Sequence, residues 1–313
     1  MNQPGGPIRF TLTPGFSMAR TRRSLEATLE GYRKDGRSVA LVPTMGYLHE
    51  GHLSLVDTAR RHADAVVLSI FVNPLQFAPG EDLERYPRDL ERDAELAMDR
   101  GANLVFAPSE GEMFPTGRPR IQVDPGELAK RLCGQARPHH FQGVATIVAK
   151  LFGLVRPDVA VFGRKDYQQA LLIRTMVADL DLGVAVQVAP IMREPDGLAM
   201  SSRNAYLGEG EREAAAEIFQ ALSSADRVFR HGERNAESLR SRVHRHLDET
   251  PLLDPEYVEL VDPQSLAPLQ EAREGAVLAV AVQCGRARLI DNVVLGSPVS
   301  DPRLGETDVE PAG

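Results

Sequence analysis

The sequence is short of the features that would carry it out of the cytosol or onto a polyanion. It has two cysteines, Cys133 and Cys284, far apart and without metal-ligand spacing. That pattern excludes a disulfide framework and fits a reducing compartment. No apolar run approaches the ~20 residues needed to cross a bilayer. The longest, Ala276 to Val282, has the length of a buried strand. Residues Met1 to Ser17 carry Gly, Pro and Thr but no apolar core of the signal-peptide kind. Positive charge is in deficit: 36 Lys and Arg against 44 Asp and Glu leave a net charge of -8. This argues against non-specific binding to nucleic acid or an anionic membrane, while a local cation cluster can still receive a small anion. The Walker A pattern is missing, and no Gly-x-Gly-x-x-Gly follows a strand-like run, so a dinucleotide reading has no support.

What is present fits a globular protein with ample core: 42% hydrophobic and 26% charged residues in 313. That length favours two domains. From about Ser38 to Pro190, β-branched runs (39–42, 65–71, 104–107, 159–162, 185–189) alternate with helical spacing (53–62, 89–100, 144–155, 168–179). The alternation predicts an α/β, Rossmann-like, doubly wound parallel sheet, with ligands beyond the carboxyl ends of the strands. After Pro190 two helices (209–231, 236–247) precede three strands (257–261, 277–283, 288–292), which predicts a smaller α+β domain. The expected organisation is an extension over 1–17, a nucleotide-binding domain over 18–190, a lid domain over 191–296 and a disordered tail over 297–313. The boundary falls in the turn-forming Arg193-Glu194-Pro195-Asp196-Gly197.

Five segments carry candidate chemistry. Met45-Gly46-Tyr47-Leu48-His49-Glu50-Gly51-His52 follows a strand and opens a helix. Its two imidazoles share one face of the first turn, beside free N–H groups that suit a phosphate. An isolated pair would equally be two surface histidines; the strand, glycines and helix around it favour a site. Gly163-Arg164-Lys165-Asp166 ends another strand and runs on to Gln169, with a lysine able to reach phosphate oxygens. Taken alone it also reads as a solvated charged loop. Met200-Ser201-Ser202-Arg203-Asn204 lies past the boundary and offers hydroxyls and a guanidinium to a triphosphate. Gln76, in Phe71-Val72-Asn73-Pro74-Leu75-Gln76-Phe77, suits a substrate with carboxylate and hydroxyls, and Phe71 and Phe77 either wall an apolar pocket or pack as core. Asp93 is a candidate Mg²⁺ ligand acting through water. The fifth segment, Gly134 to Val144 with His139-His140, reads as an ordered loop shaping a pocket or subunit contact, since no zinc partner stands at a suitable spacing.

Together these segments resemble the pantothenate synthetase family, the pantoate–β-alanine ligases of the HxGH nucleotidyltransferase superfamily, from about Ala19 to Val294. His49-Glu50-Gly51-His52 alone indicates the superfamily; adding 71–77 and 165–169 narrows it to this ligase. The resemblance implies that ATP binds at 45–52, at 163–166, at Met192 and at 200–203, with His52 donating a proton and Lys165, Ser201, Ser202 and Arg203 on the phosphates. It implies that Gln76 and Gln169 hold pantoate, with β-alanine beside Gln76. It also implies Mg²⁺ with the ATP, a cytoplasmic homodimer formed through the first domain, and a pantoyl adenylate intermediate. Arg164 stands where family members commonly carry Glu, which puts only ATP affinity in question. The rivals are another HxGH nucleotidyltransferase, or an ATP-binding regulatory module with the same pocket.

Overall fold

A computed structural model describes residues 15–297; the expected extension and tail lie outside these, apart from 15–17 and Ser297. The first unit runs β1 (Ser17–Ala19), α1 (Arg22–Lys34), β2 (Val39–Thr44), α2 (Glu50–His62), β3 (Ala65–Ile70), α3 (Leu90–Asp99), β4 (Leu104–Phe106), α4 (Glu110–Met113), α5 (Cys133–Ala136), α6 (His140–Val155), β5 (Val159–Gly163), α7 (Tyr167–Asp179) and β6 (Ala185–Ala189). Its six strands are all parallel, in the order β1-β4-β3-β2-β5-β6.

Alternation along the strands explains the two layers of helix. Val39 and Leu41 face a core with α1, α6 and α7, whereas Ala40 and Val42 face one with α2 and α3. The sheet is therefore doubly wound. From β2 the chain steps outward through β3 and β4, then returns to the other side of β2 with β5. That reversal makes the carboxyl ends of β2 and β5 the topological switch point, where such sheets bind ligands. The histidine segment leaves β2 there, and the Lys165 segment leaves β5.

Two expectations need correction. Ser17, read as the end of the extension, pairs with Leu104 in an edge strand, because Phe16 and Ala19 beside it are buried in the core. The helix expected from Leu53 starts at Glu50, because His49 caps it: Nδ1 accepts the Gly51 N–H at 3.1 Å.

The second unit packs α8 (Glu209–Arg230) and α9 (Ala236–Asp248) on an antiparallel sheet of β7 (Leu253–Val261), β8 (Val277–Cys284) and β9 (Ala287–Val294). The long apolar run is the central strand β8, buried on both faces. Leu278, Val280 and Val282 meet the helices, while Val277 and Ala279 meet Leu132 of the first unit. Where the chain crosses between the units, Arg193 makes a buried bidentate pair with Asp291 of β9 at 2.6 and 2.9 Å. No helix among the described residues is long and apolar enough to cross a membrane.

Candidate active site

The loop after β2 is wound tightly. Gly46 has φ +86°, and a Cβ there would lie 2.9 Å from Asp93 Oδ2 and Ile70 Cγ2. Tyr47 follows at φ +53°, in the left-handed region. Asp93 pins this conformation by accepting the N–H of Tyr47 at 2.6 Å and of Leu48 at 2.7 Å. Its carboxylate is 1% exposed. Both oxygens thus hold the loop, a role other than the water-mediated Mg²⁺ contact expected from the sequence. Among the described residues no group of three or more His, Cys, Asp or Glu forms a cation cage.

The loop delivers His49 and His52 side by side on the first turn of α2, ring centroids 4.1 Å apart and planes tilted by 39°. Gly51 makes this arrangement possible, since a Cβ there would fall 2.8 Å from the His49 ring. Because His49 Nδ1 accepts a backbone N–H, its proton sits on Nε2. Burial, then the neighbouring His52 and Lys165, push His49 down to about 2. Burial and Lys165 push His52 down to about 4. Both rings are thus neutral near pH 7, and the His52 Nδ1 is buried without a partner.

Lys165 closes the other side of the switch point. It sits in a short 3₁₀ turn, Arg164–Asp166, with its ammonium 3.7 Å from Asp166. The carbonyls of Arg164 and Lys165 both accept from the Asn292 side chain of β9, at 3.1 and 3.0 Å. The second unit therefore holds the lysine turn in place. Arg164 contributes this main-chain contact and a partly buried side chain.

A cavity of about 420 Å³ lies between the units, with Lys165, Asp166, Gln169, Ser201 and Arg203 in its wall. The size suits a nucleotide-sized ligand. Five residues singled out in the sequence thus share one cavity, although they come from both units. The two histidines are not in its lining; they stand next to Lys165, close enough for its charge to act on both. Ser202 links the parts by donating to the Tyr47 carbonyl at 3.2 Å. Met200 is tied to Met192 by a 3.0 Å backbone bond and lies against Gly51. Gln76 reaches the same loop, with Nε2 3.1 Å from Met45 Sδ and Oε1 accepting from Asn73 at 3.0 Å.

Some expected residues face elsewhere. Glu50 is exposed and pairs with Arg100 on the outer surface. The Leu48 side chain is buried in core, and its backbone N–H and carbonyl are taken by Asp93 and Arg92. Phe71 is core as well, edge-on to Phe114, and Phe77 packs on Tyr86. Sequence reasoning missed Asp82, which pairs with Arg203 at 3.1 Å. It also missed Arg137, which binds Glu81 at 2.6 and 2.9 Å and the Gln76 carbonyl at 3.2 Å. His140 donates from Nδ1 to that carbonyl at 2.8 Å, and burial followed by Arg137 pushes it down to about 4. The segment from Gly134 to Val144 did announce a pocket; only its partners were hidden.

A sequence model of the pantoate-β-alanine ligase family matches residues 17–294 of this chain. The chain belongs to the pantoate–β-alanine ligase family. It is 50% identical over 276 residues to the pantothenate synthetase of Pelotomaculum thermopropionicum, covering 88% of this chain and 98% of that one. It is also 50% identical over 272 residues to that of Geobacter sulfurreducens, covering 87% and 96%. The crystal structure of pantothenate synthetase from Thermus thermophilus is similar, with TM-score 0.84 and 46% identity over 89% of this chain and 99% of that one. A pantoate-β-alanine ligase from Francisella tularensis, solved with β-γ ATP and β-alanine, shares 31% identity with TM-score 0.76, covering 91% and 100%. The family's fold, a parallel six-stranded sheet with a small antiparallel sheet beside it, is the fold of this chain.

Proposed function

We propose that this chain joins pantoate to β-alanine at the expense of ATP, through a pantoyl adenylate. The family membership supports the reaction, and one observation supports the site: Lys165, Ser201 and Arg203 share a cavity beside the His49–His52 pair. A carboxylate becomes an acyl donor only when its oxygen is made a good leaving group. In the first step a pantoate carboxylate oxygen attacks the α-phosphate, and the bond to the β-phosphate breaks to release pyrophosphate. In the second, the β-alanine nitrogen attacks the acyl carbon, AMP leaves, and the nitrogen gives up a proton.

Lys165, Ser201, Ser202 and Arg203 are the proposed phosphate ligands; the charges of Lys165 and Arg203 would offset the negative charge that builds up, and the hydroxyls would add hydrogen bonds. The loop at 45–48, the carbonyls of 163–166 and the tied Met192–Met200 pair would hold the rest of the nucleotide. His49 and His52, neutral before ATP arrives, act first as N–H donors. The approaching polyphosphate raises their pKa, and that shift makes proton donation by His52 available at the transition state. Gln76 and Gln169 are the proposed pantoate ligands. With its oxygen held by Asn73, Gln76 offers its NH₂ group to the substrate. Any Mg²⁺ that accompanies the nucleotide would offset phosphate charge, with no side-chain cage for it among the described residues. The second unit, from about 191 onward, serves as the lid that keeps water off the adenylate. From the same family reading, the enzyme is a cytoplasmic homodimer; sedimentation of the purified chain tests the dimer, and cell fractionation the location.

Product analysis tests the function. Pantothenate and AMP should form in equal amounts with ATP, pantoate and β-alanine together, and neither when β-alanine is omitted from steady-state mixtures. Sustained AMP formation from ATP and another acceptor, without pantoate, would instead favour a different nucleotidyltransferase.

A further inference from the structure

The loop between the 3₁₀ turn Pro74–Gln76 and α3 spans the cavity with two adjacent acidic residues. Glu81 is held on one wall by Arg137, through bonds of 2.9 and 2.6 Å. Arg137 also grips the Gln76 carbonyl at 3.2 Å, so this wall is fixed. Asp82, one residue on, reaches the opposite wall. Its two oxygens accept from Arg203 Nε at 3.2 Å and Nη2 at 3.1 Å, the side-by-side geometry in which a guanidinium takes phosphate. Arg203 and Asp82 are 26% and 21% exposed, sheltered yet within reach of an incoming ligand. Glu81, Asp82 and Arg203 all line the cavity that holds Lys165.

We propose that Asp82 is a built-in competitor for the nucleotide's outer phosphates: it holds Arg203 until a polyphosphate takes it, and takes it back when pyrophosphate leaves. This rests on the reading of Arg203 as a phosphate ligand. Arg203 and Lys165 are among several cations in the cavity wall, and each stands beside a carboxylate, Asp82 and Asp166, which offsets their mutual repulsion. A single carboxylate is a weaker partner than a polyphosphate bearing several charges, so the exchange runs toward ATP. Once the α–β bond has broken, Asp82 restores the original pair and lowers the grip on pyrophosphate. Glu81, clamped by Arg137, is the fixed point about which Asp82 turns.

Titration calorimetry with a non-hydrolysable ATP analogue, pyrophosphate and adenosine, on wild type, Asp82→Asn, Asp82→Ala and Arg203→Ala, tests it. Both Asp82 variants should bind the analogue and pyrophosphate up to about fivefold more tightly, the span expected for release of one partly exposed ion pair. Adenosine, without phosphates, should bind unchanged. Unchanged or weaker polyphosphate binding in the Asp82 variants, with Arg203→Ala still weakening the analogue, overturns the competitor and leaves the phosphate reading standing. Equal shifts for adenosine overturn it too, since they mark a general change in the pocket. If Arg203→Ala binds the analogue like wild type, the phosphate reading itself fails and this inference with it. Melting curves identify any variant that has lost its fold, and the second Asp82 substitution then carries the test.

Discussion

The two sheets of this molecule use the same apolar residues for opposite ends. In the small sheet, β8 is buried on both faces and its neighbours are satisfied by helices on one side and by the first unit on the other. In the parallel sheet the same close packing stops at the strand ends. There the chain accepts a left-handed Tyr47, a glycine with no room for a Cβ, two closely apposed imidazoles and an unpartnered buried ring nitrogen. One region concentrates stability, and the other carries local strain and uncompensated polarity that packing elsewhere must support. Changes in the first should cost folding and spare chemistry, and changes in the second should do the reverse.

The sharpest separation is expected from Lys165→Ala. Pyrophosphate release from ATP and pantoate should fall by about 10²–10³-fold, the usual loss when one stabiliser of developing charge is removed. Its melting temperature should stay close to wild type. Leu222→Ala is the mirror image. Leu222 is fully buried on α8, and truncation should cost about 3 kcal/mol in urea unfolding while the turnover of the folded enzyme stays unchanged. A large fall in kcat in that variant would erase the contrast.

Gly143→Ala tests the seam between scaffold and site. A Cβ there would sit 2.3 Å from the Leu75 carbonyl oxygen, so α6 and the Pro74–Gln76 turn must separate. About 1–3 kcal/mol of stability should be lost, with a rise in KM for pantoate exceeding that for ATP. Acid stability separates the two regions along another axis. His49, His52 and His140 are pushed down to about 2, 4 and 4 in the fold, against about 6.5 when unfolded. The unfolded chain therefore binds more protons below pH 6.5, and stability falls as pH drops from 6.5 toward 4. The slope approaches roughly 1.4 kcal/mol per pH unit for each histidine, at most. His49→Asn, which keeps a capping oxygen, should flatten that decline in melts at pH 7 and pH 5.

Much of this was written in local sequence. β-branched runs and helical spacing marked β2 through β6 and their helices, and turn-forming residues stood out around Arg193. The histidine, lysine and Ser-Ser-Arg segments were visible because each joins polar groups to a strand end or a turn. What stayed hidden depends on distant pairing. Asp93 looked like a metal ligand until the N–H groups of Tyr47 and Leu48, far away in sequence, took both its oxygens. Asn292 gives no sign of holding the Lys165 turn, and Asp82 none of holding Arg203. The edge strand at Ser17 was too short to show a period, and only its partner Leu104 defines it.

The central claim is that one cavity activates a carboxylate on ATP before any amine arrives. A single-turnover experiment with enzyme in excess over ATP, saturating pantoate and no β-alanine tests it most directly. The account predicts rapid release of about one pyrophosphate per ATP, with pantoyl adenylate retained on wild-type and Leu222→Ala enzyme, and loss of the burst in Lys165→Ala. Pyrophosphate appearing only after β-alanine is added, or an undiminished burst in Lys165→Ala, would contradict it.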